Sequence, residues 1–213
     1  MPKRRPIADR TPGGRERVRI IGGTHRGRVI EFLPLSGLRP TPDRIRETLF
    51  NWLRTILPGA DCLDLFAGSG VLGLEAASRG ARRVVLVDHA AEAAARIARY
   101  IAQFELHGVS VHCGDALAWL RGPAQGFDVV FLDPPFSSDL LEPCCQLLDR
   151  GGWLKPAARI YLEMDRHRPL PSLPPGWRVI REKKAGQVCY YLCLSDLIDD
   201  HASADLPGCG RSD

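Results

Sequence analysis

Between residues 60 and 150, short apolar runs alternate with helical stretches, and each of four runs ends at or beside an aspartate. The runs are Cys62–Phe66, Val84–Val87, Val109–Cys113 and Phe127–Leu132, and the aspartates are Asp64, Asp88, Asp115 and Asp133. Between them the pattern predicts helices over Val71–Arg79, Ala90–His107 and Ala116–Leu120, the second carrying Ile97, Tyr100, Ile101 and Phe104 on one face. Strands apolar on both faces and separated by helices require a parallel sheet covered on both sides, an α/β doubly wound fold. A helix over Leu140–Leu148 and a strand over Ile160–Met164 follow, and Trp177–Glu182 with Val188–Leu194 can close the sheet as an antiparallel hairpin. Ligands of such sheets sit beyond the carboxyl ends of the strands. Singly, each aspartate also suits a turn or a helix N-cap. In register, all four would line one crevice.

Upstream, Val18–Ile21 and Arg28–Leu33 read as a hairpin around Gly22–Gly27. A helix should then open with Thr41 as N-cap, Pro42 at its first position and Asp43 in its first turn. Its apolar stripe is Ile45, Leu49, Trp52, Leu53 and Ile56, and Pro58-Gly59 stops it. The net charge of +4 is unevenly spread, with +7 in residues 1–28 and −4 in residues 196–213. The basic arm reads either as a solvated tail or as a phosphate-seeking segment. No apolar run approaches the ~18 residues of a membrane span. The basic N-terminus lacks a secretory apolar segment, and the seven cysteines include no CxxC. Reduced thiols, a cytoplasmic location and no metal site are the expectation, since His25 and His112 lack metal-like partners.

Gly68-Ser69-Gly70-Val71-Leu72-Gly73 satisfies GxGxxG, which suits dinucleotide, flavin and methyl-donor sites alike. Asp64 discriminates between them. A carboxylate at the end of the first strand would face the pyrophosphate of a dinucleotide, whereas S-adenosylmethionine (SAM) presents an ammonium and a sulfonium there. Asp88 suits the two hydroxyls of an adenosine ribose. Asp115 suits either the adenine amino group or the N-cap of the helix beginning at Ala116. In Asp133-Pro134-Pro135-Phe136 the prolines end the strand, leaving the Asp133 carboxylate and the Pro134 carbonyl as two nearby acceptors for an exocyclic amine. Phe136 can stack on the base that carries it. The alternative is a proline-rich turn with Phe136 in the core.

Together, Asp64–Gly70, Asp88, Gly114-Asp115 and Asp133–Phe136 resemble the ordered motifs of class I SAM-dependent amino-methyltransferases. Three further blocks resemble the RsmD family, bacterial methyltransferases acting on N2 of guanine 966 in 16S ribosomal RNA. They are Arg19–Arg28, Gly37–Leu53 and Glu182–Val188, and the resemblance covers about residues 17–194. It implies a Rossmann-like, mostly parallel seven-stranded sheet with a small hairpin-and-helix extension. The expected organisation is a disordered basic arm (1–16), an RNA-contacting extension (17–57), a SAM-dependent methyltransferase domain (58–195) and a disordered acidic tail (196–213).

By motif position the resemblance places Asp64, Phe66, Ala67, Gly68, Gly70, Asp88, Asp115 and Ala116 around SAM. It places Asp133, Pro134, Pro135 and Phe136 at the target guanine. Arg39, Thr41, Arg44 and Arg46 fall between extension and crevice as contacts to RNA or cofactor, with helix capping and a solvated helix face as their other readings. The expected partner is 16S rRNA in an assembling or assembled small subunit, bound by a monomer with no membrane and no metal. DNA adenine-N6 or protein-amide methylation, an NAD-dependent oxidoreductase and a non-catalytic RNA-binding assembly factor are the alternatives. Asp64 and the absence of a substrate domain oppose the oxidoreductase.

Overall fold

The computed structural model describes residues 16–32 and 41–196. Apart from Glu16 and Asp196, the expected basic arm and acidic tail lie outside the described residues, as does Arg39. Strands β1 (Glu16–Arg19) and β2 (Val29–Phe32) form the expected antiparallel hairpin, and α1 (Asp43–Trp52) follows. Then come β3 (Asp61–Asp64), α2 (Val71–Ser78), β4 (Arg83–Asp88), α3 (Ala91–Gln103), β5 (Val109–Cys113), α4 (Ala116–Leu120) and β6 (Phe127–Leu132). The described residues end with α5 (Leu141–Arg150), β7 (Leu154–Asp165), β8 (Trp177–Ala185) and β9 (Val188–Ser195).

Seven strands lie in the order β5-β4-β3-β6-β7-β9-β8. β3 to β7 are mutually parallel, and β9 runs antiparallel to both β7 and β8. The order reverses between β3 and β6, so a crevice opens at their carboxyl ends, where Asp64 and Asp133 stand. This is the Rossmann-like architecture of class I methyltransferases.

Alternation along the strands sends side chains to two apolar layers. Cys62, Val84, Leu86, Val129 and Phe131 pack with α1, α2, α3 and the β1–β2 hairpin, while Leu63, Val85, Val87, Val130 and Leu132 pack with α4 and α5. Val18, Ile20, Ile30, Phe32, Ile45 and Leu49 thus share one core cluster with the sheet. Helix α2 lies close on the sheet because Gly73 has no side chain: a Cβ there would stand 2.6 Å from a Leu86 methyl. No helix among the described residues is long and apolar enough to cross a membrane.

Several bounds move: β1 begins at Glu16 rather than Val18, α1 ends at Trp52 so that Leu53 and Ile56 of its expected stripe follow it in turns, α3 ends at Gln103 rather than His107, and β8 runs on to Ala185. Two local expectations change in kind. The strand expected at Ile160–Met164 begins earlier, at Leu154, and contains Pro156. Its register with β6 shifts between Phe127 and Val129, and Ala157 takes φ 58°, so the proline sits at an irregularity where a missing N–H disturbs the ladder least. The N-cap of α1 is Pro42 rather than Thr41, with no side-chain cap. The Thr41 hydroxyl instead faces two carboxyl groups at the crevice, and donating to a carboxylate is a stronger bond than the one it would make as a cap by accepting a backbone N–H.

The extension is fastened to α2 by Glu75, which is fully buried. Glu75 accepts from the Ile21 N–H at 2.8 Å, from Arg79 Nε at 2.8 Å and from Arg46 Nη1 at 3.3 Å. Arg46, also fully buried, donates onward to the Arg19 carbonyl at 2.9 Å and to Asp43 at 2.6 Å. Beside it, Ser78 bonds the hairpin turn, donating to the Gly22 carbonyl and accepting from the His25 N–H.

Candidate active site

The glycine loop begins where β3 ends. Gly70 adopts φ 81° and takes the N-cap position of α2, and a Cβ there would approach Ile97 to 2.8 Å, so glycine serves both backbone and packing. The Asp64 carboxylate lies behind the loop, with Oδ2 accepting from the Gly73 N–H at 3.0 Å. Its Oδ1 is buried without a hydrogen bond of regular geometry. Burial pushes the Asp64 pKa up to about 7, the Asp88 charge adds to the rise, and the Gly73 and Phe66 N–H groups oppose it. A desolvated carboxyl with a spare acceptor suits a ligand that brings positive charge and no phosphate. The residues present therefore fit the ammonium end of SAM.

Asp88 closes β4 and ties the loop down: Oδ2 accepts from the Gly68 N–H at 2.6 Å and Oδ1 from the Ala90 N–H at 2.8 Å. Each oxygen keeps acceptor capacity for a further donor. Asp115 caps α4, accepting from the Ala118 N–H at 2.8 Å, and its side chain is exposed. Capping uses one oxygen, so its two readings are compatible. Phe66 is half-buried beside the loop, while Ala67 and Ala116 are buried.

Beyond β6, Asp133 is half-buried, Pro134 buried, and Pro135 and Phe136 exposed, Phe136 by 36%. Phe136 therefore lies outside the core, contrary to the structural alternative raised by the sequence. The Pro135 carbonyl accepts from the Ser138 N–H at 2.8 Å and its hydroxyl at 2.7 Å, which turns the loop. Arg168 then holds the loop by donating to the carbonyls of Phe136 (3.1 Å) and Ser138 (2.7 Å) and pairing with Asp139. The loop and Arg168 line a cleft of about 370 Å³ that also includes Pro134, Glu163, Met164 and Leu170.

Glu163, missed by the sequence reading, is buried at the end of β7. It accepts from the Tyr161 hydroxyl at 2.6 Å, and the Thr41 hydroxyl lies 3.2 Å from both Glu163 Oε2 and Asp133 Oδ2. Burial raises the Asp133 carboxyl well above the usual range, helped by the charges of Glu163 and Asp64 and opposed by Thr41. Burial likewise raises Glu163, against the hydrogen bonds of Tyr161 and Thr41. The one signal of Glu163 in the sequence is a charged residue inside a run expected to be apolar on both faces.

The residues grouped as RNA or cofactor contacts separate. Arg46 cannot make that contact, because its guanidinium is enclosed and committed to Glu75, Asp43 and the Arg19 carbonyl. Thr41 is buried and faces Asp133 rather than solvent. Arg44 is exposed, and a Cβ on Gly186 in the β8–β9 turn would lie 3.6 Å from its guanidinium. That turn stands at the carboxyl end of β7, where Asp165 pairs with Val188, and Arg166 donates to the Gly186 carbonyl. Arg44 and Arg166 thus meet at this turn on the rim of the catalytic end, with exposed Lys183 and Lys184 just before it on β8.

The family described as Conserved hypothetical protein 95 matches residues 18–194. The chain is 43% identical over 179 residues to Ribosomal RNA small subunit methyltransferase D of Escherichia coli (strain K12), covering 84% of this chain and 90% of that protein. It is 42% identical to the protein of the same name from Haemophilus influenzae, covering 85% and 96% respectively. A solved structure titled as putative methyltransferase yhhF from Escherichia coli superposes with a TM-score of 0.79 at 40% identity, covering 84% of this chain and 98% of that one. With its match spanning both extension and sheet, the chain belongs to this family, that of the RsmD methyltransferases.

Proposed function

We propose that the protein transfers a methyl group from SAM to the exocyclic N2 of guanine 966 in 16S ribosomal RNA. It would act in the cytoplasm as a monomer, on an assembling or assembled small subunit. The observation that carries this reading is the Asp133-Pro134-Pro135-Phe136 loop standing across the sheet's switch point from Asp64, with Phe136 exposed at the mouth. Asp64, Phe66, Ala67, Gly68, Gly70, Asp88, Asp115 and Ala116 would hold SAM, which supplies a methyl group already activated on a sulfonium. What remains for the chain's own residues is positioning.

The Asp133 carboxylate and the Pro134 carbonyl accept the two N–H bonds of the guanine amine and turn its lone pair toward the methyl group. Phe136 stacks on the unstacked base, and Asp133 takes the proton that N2 sheds after transfer. Arg44, with Arg166, Lys183 and Lys184, offers positive charge to the surrounding phosphates. The names of the relatives support a ribosomal RNA substrate.

Labelled SAM offered with naked small-subunit RNA, assembled subunits and duplex DNA, followed by nuclease mapping, tests the reading. Label on N2 of one guanine is expected. Label only on DNA or only on protein would overturn it, as would no transfer to any substrate.

A further inference from the structure

Methyl transfer through Asp133 leaves Glu163 without a task, yet a buried carboxyl beside another is costly unless something compensates it. Tyr161 donates to Glu163 alone, and the hydroxyl that meets both carboxyls is that of Thr41. Thr41 Oγ1 stands 3.2 Å from Asp133 Oδ2 and 3.2 Å from Glu163 Oε2. A hydroxyl has one hydrogen to give and lone pairs to receive with, so it cannot donate to both carboxylates at once. With one proton on the pair, every contact is satisfied: one carboxyl donates to Thr41 and Thr41 donates to the other.

We propose that Asp133 and Glu163 hold a single proton between them through the Thr41 hydroxyl, and that Glu163 is the positioning residue that carries it when Asp133 receives the substrate amine. The inference rests on the function proposed above. Before the amine arrives, the 2.6 Å hydrogen bond from Tyr161 favours ionised Glu163, so the proton resides on Asp133. When amine N–H bonds reach Asp133, its O–H bond breaks toward Thr41 Oγ1 while the Thr41 proton passes to Glu163 Oε2. Asp133 is now the carboxylate, and Thr41 is chemically unchanged. After transfer, the N2–H bond breaks with its electron pair left on nitrogen, and that proton bonds to Asp133. The pair then holds one proton too many, and one leaves to solvent.

The surroundings agree with one retained proton. Asp64 from β3 adds negative charge, Tyr161 on β7 donates its hydroxyl to Glu163, and Tyr190 lies opposite Glu163 on β9. The cleft beyond carries Asp139, Glu142, Asp165 and Arg168, the last already paired with Asp139. Both carboxyls are raised accordingly.

Two measurements test the shared proton. Infrared titration of the ligand-free protein, which needs neither SAM nor RNA, should show, beside the signal of Asp64, one further protonated carboxyl persisting past neutrality. In Glu163→Gln, Asp133 faces no charge at that position, so its protonated signal should vanish at lower pH. In the methylation assay, the wild-type pH–rate profile should be bell-shaped, because the shared proton is needed and is lost at high pH. Glu163→Gln, normalised to its own maximum, should keep the acid limb and lose the alkaline one, since an amide has no such proton to lose. Thr41→Val should slow transfer by about 100-fold and Thr41→Ser should restore it. Infrared titrations identical in wild type and Glu163→Gln would overturn the proposal, as would an alkaline limb unchanged by that substitution. A wild type that labels no RNA at any pH would instead refute the function reading, leaving the infrared result to decide the shared proton.

Discussion

Replacing Glu75 by glutamine should unfasten the extension from α2, and the cost can be worked from the contacts. Glu75 and Arg46 are both fully buried and meet at 3.3 Å, and Glu75 also receives the Ile21 N–H and Arg79 Nε. Removing one charge of a buried pair leaves the other uncompensated, which costs about 3–5 kcal/mol. Arg46 keeps Asp43 and the Arg19 carbonyl, and the amide oxygen can still accept from Ile21, so the lower end applies. A loss of about 3 kcal/mol corresponds to a Tm lower by roughly 6–12 °C in a chain of this size. Urea unfolding of the wild type, Glu75→Gln, Arg46→Met and the double variant gives the coupling directly, expected at about 1–3 kcal/mol. A single-variant loss below about 1 kcal/mol, the range of an exposed pair, would refute the argument that this contact fastens the extension.

Two further outcomes follow from the site. Asp64 is pushed up to about 7 from 3.8, so the folded protein binds more protons than the unfolded chain between those values, and this group's contribution to stability falls as pH rises through 7. A cationic ligand reverses the preference and expels the proton, so SAM binding at pH 6 should release a proton, seen as a calorimetric enthalpy that varies with buffer; Asp64→Asn should abolish that dependence, and its persistence would contradict the assignment. Phe136→Ala should weaken RNA binding by about 1–3 kcal/mol, with Phe136→Tyr close to wild type and SAM affinity unaltered in both. Equal RNA affinity in all three proteins would remove the stacking role.

Much of the sheet was legible because its signal is local. Val109–Cys113, Ala116–Leu120 and Phe127–Leu132 have the expected bounds, since each is an apolar run or helix flanked by turn residues. The glycine loop and Asp133–Phe136 were legible for the same reason. Pro156 hid the first half of β7, because a bulge tolerates what a regular ladder does not. Arg46 was misread because nothing on its own helix reveals Glu75, 29 residues away on α2. Glu163 and Thr41 were invisible as a pair for the same reason: Thr41 reads locally as a helix cap and Glu163 as a lone charge in an apolar run, and only the fold brings them to the same hydrogen bond.

The separation of those two residues along the chain has a consequence for when the protein becomes competent during its synthesis. The contacts from the extension run 54 residues forward to α2, 92 to Asp133 and 122 to Glu163. A nascent chain that has emerged as far as α5 can already pair β3, β4, β5 and β6 and fasten its hairpin to Glu75. It still lacks β7 and the β8–β9 hairpin, and with them the strand that flanks β6 and the carboxyl that faces Thr41. Contacts of such separation form late, after the loops between them have closed. The catalytic end is thus the last part of the fold to be assembled, although the threonine that completes it is made 122 residues before Glu163.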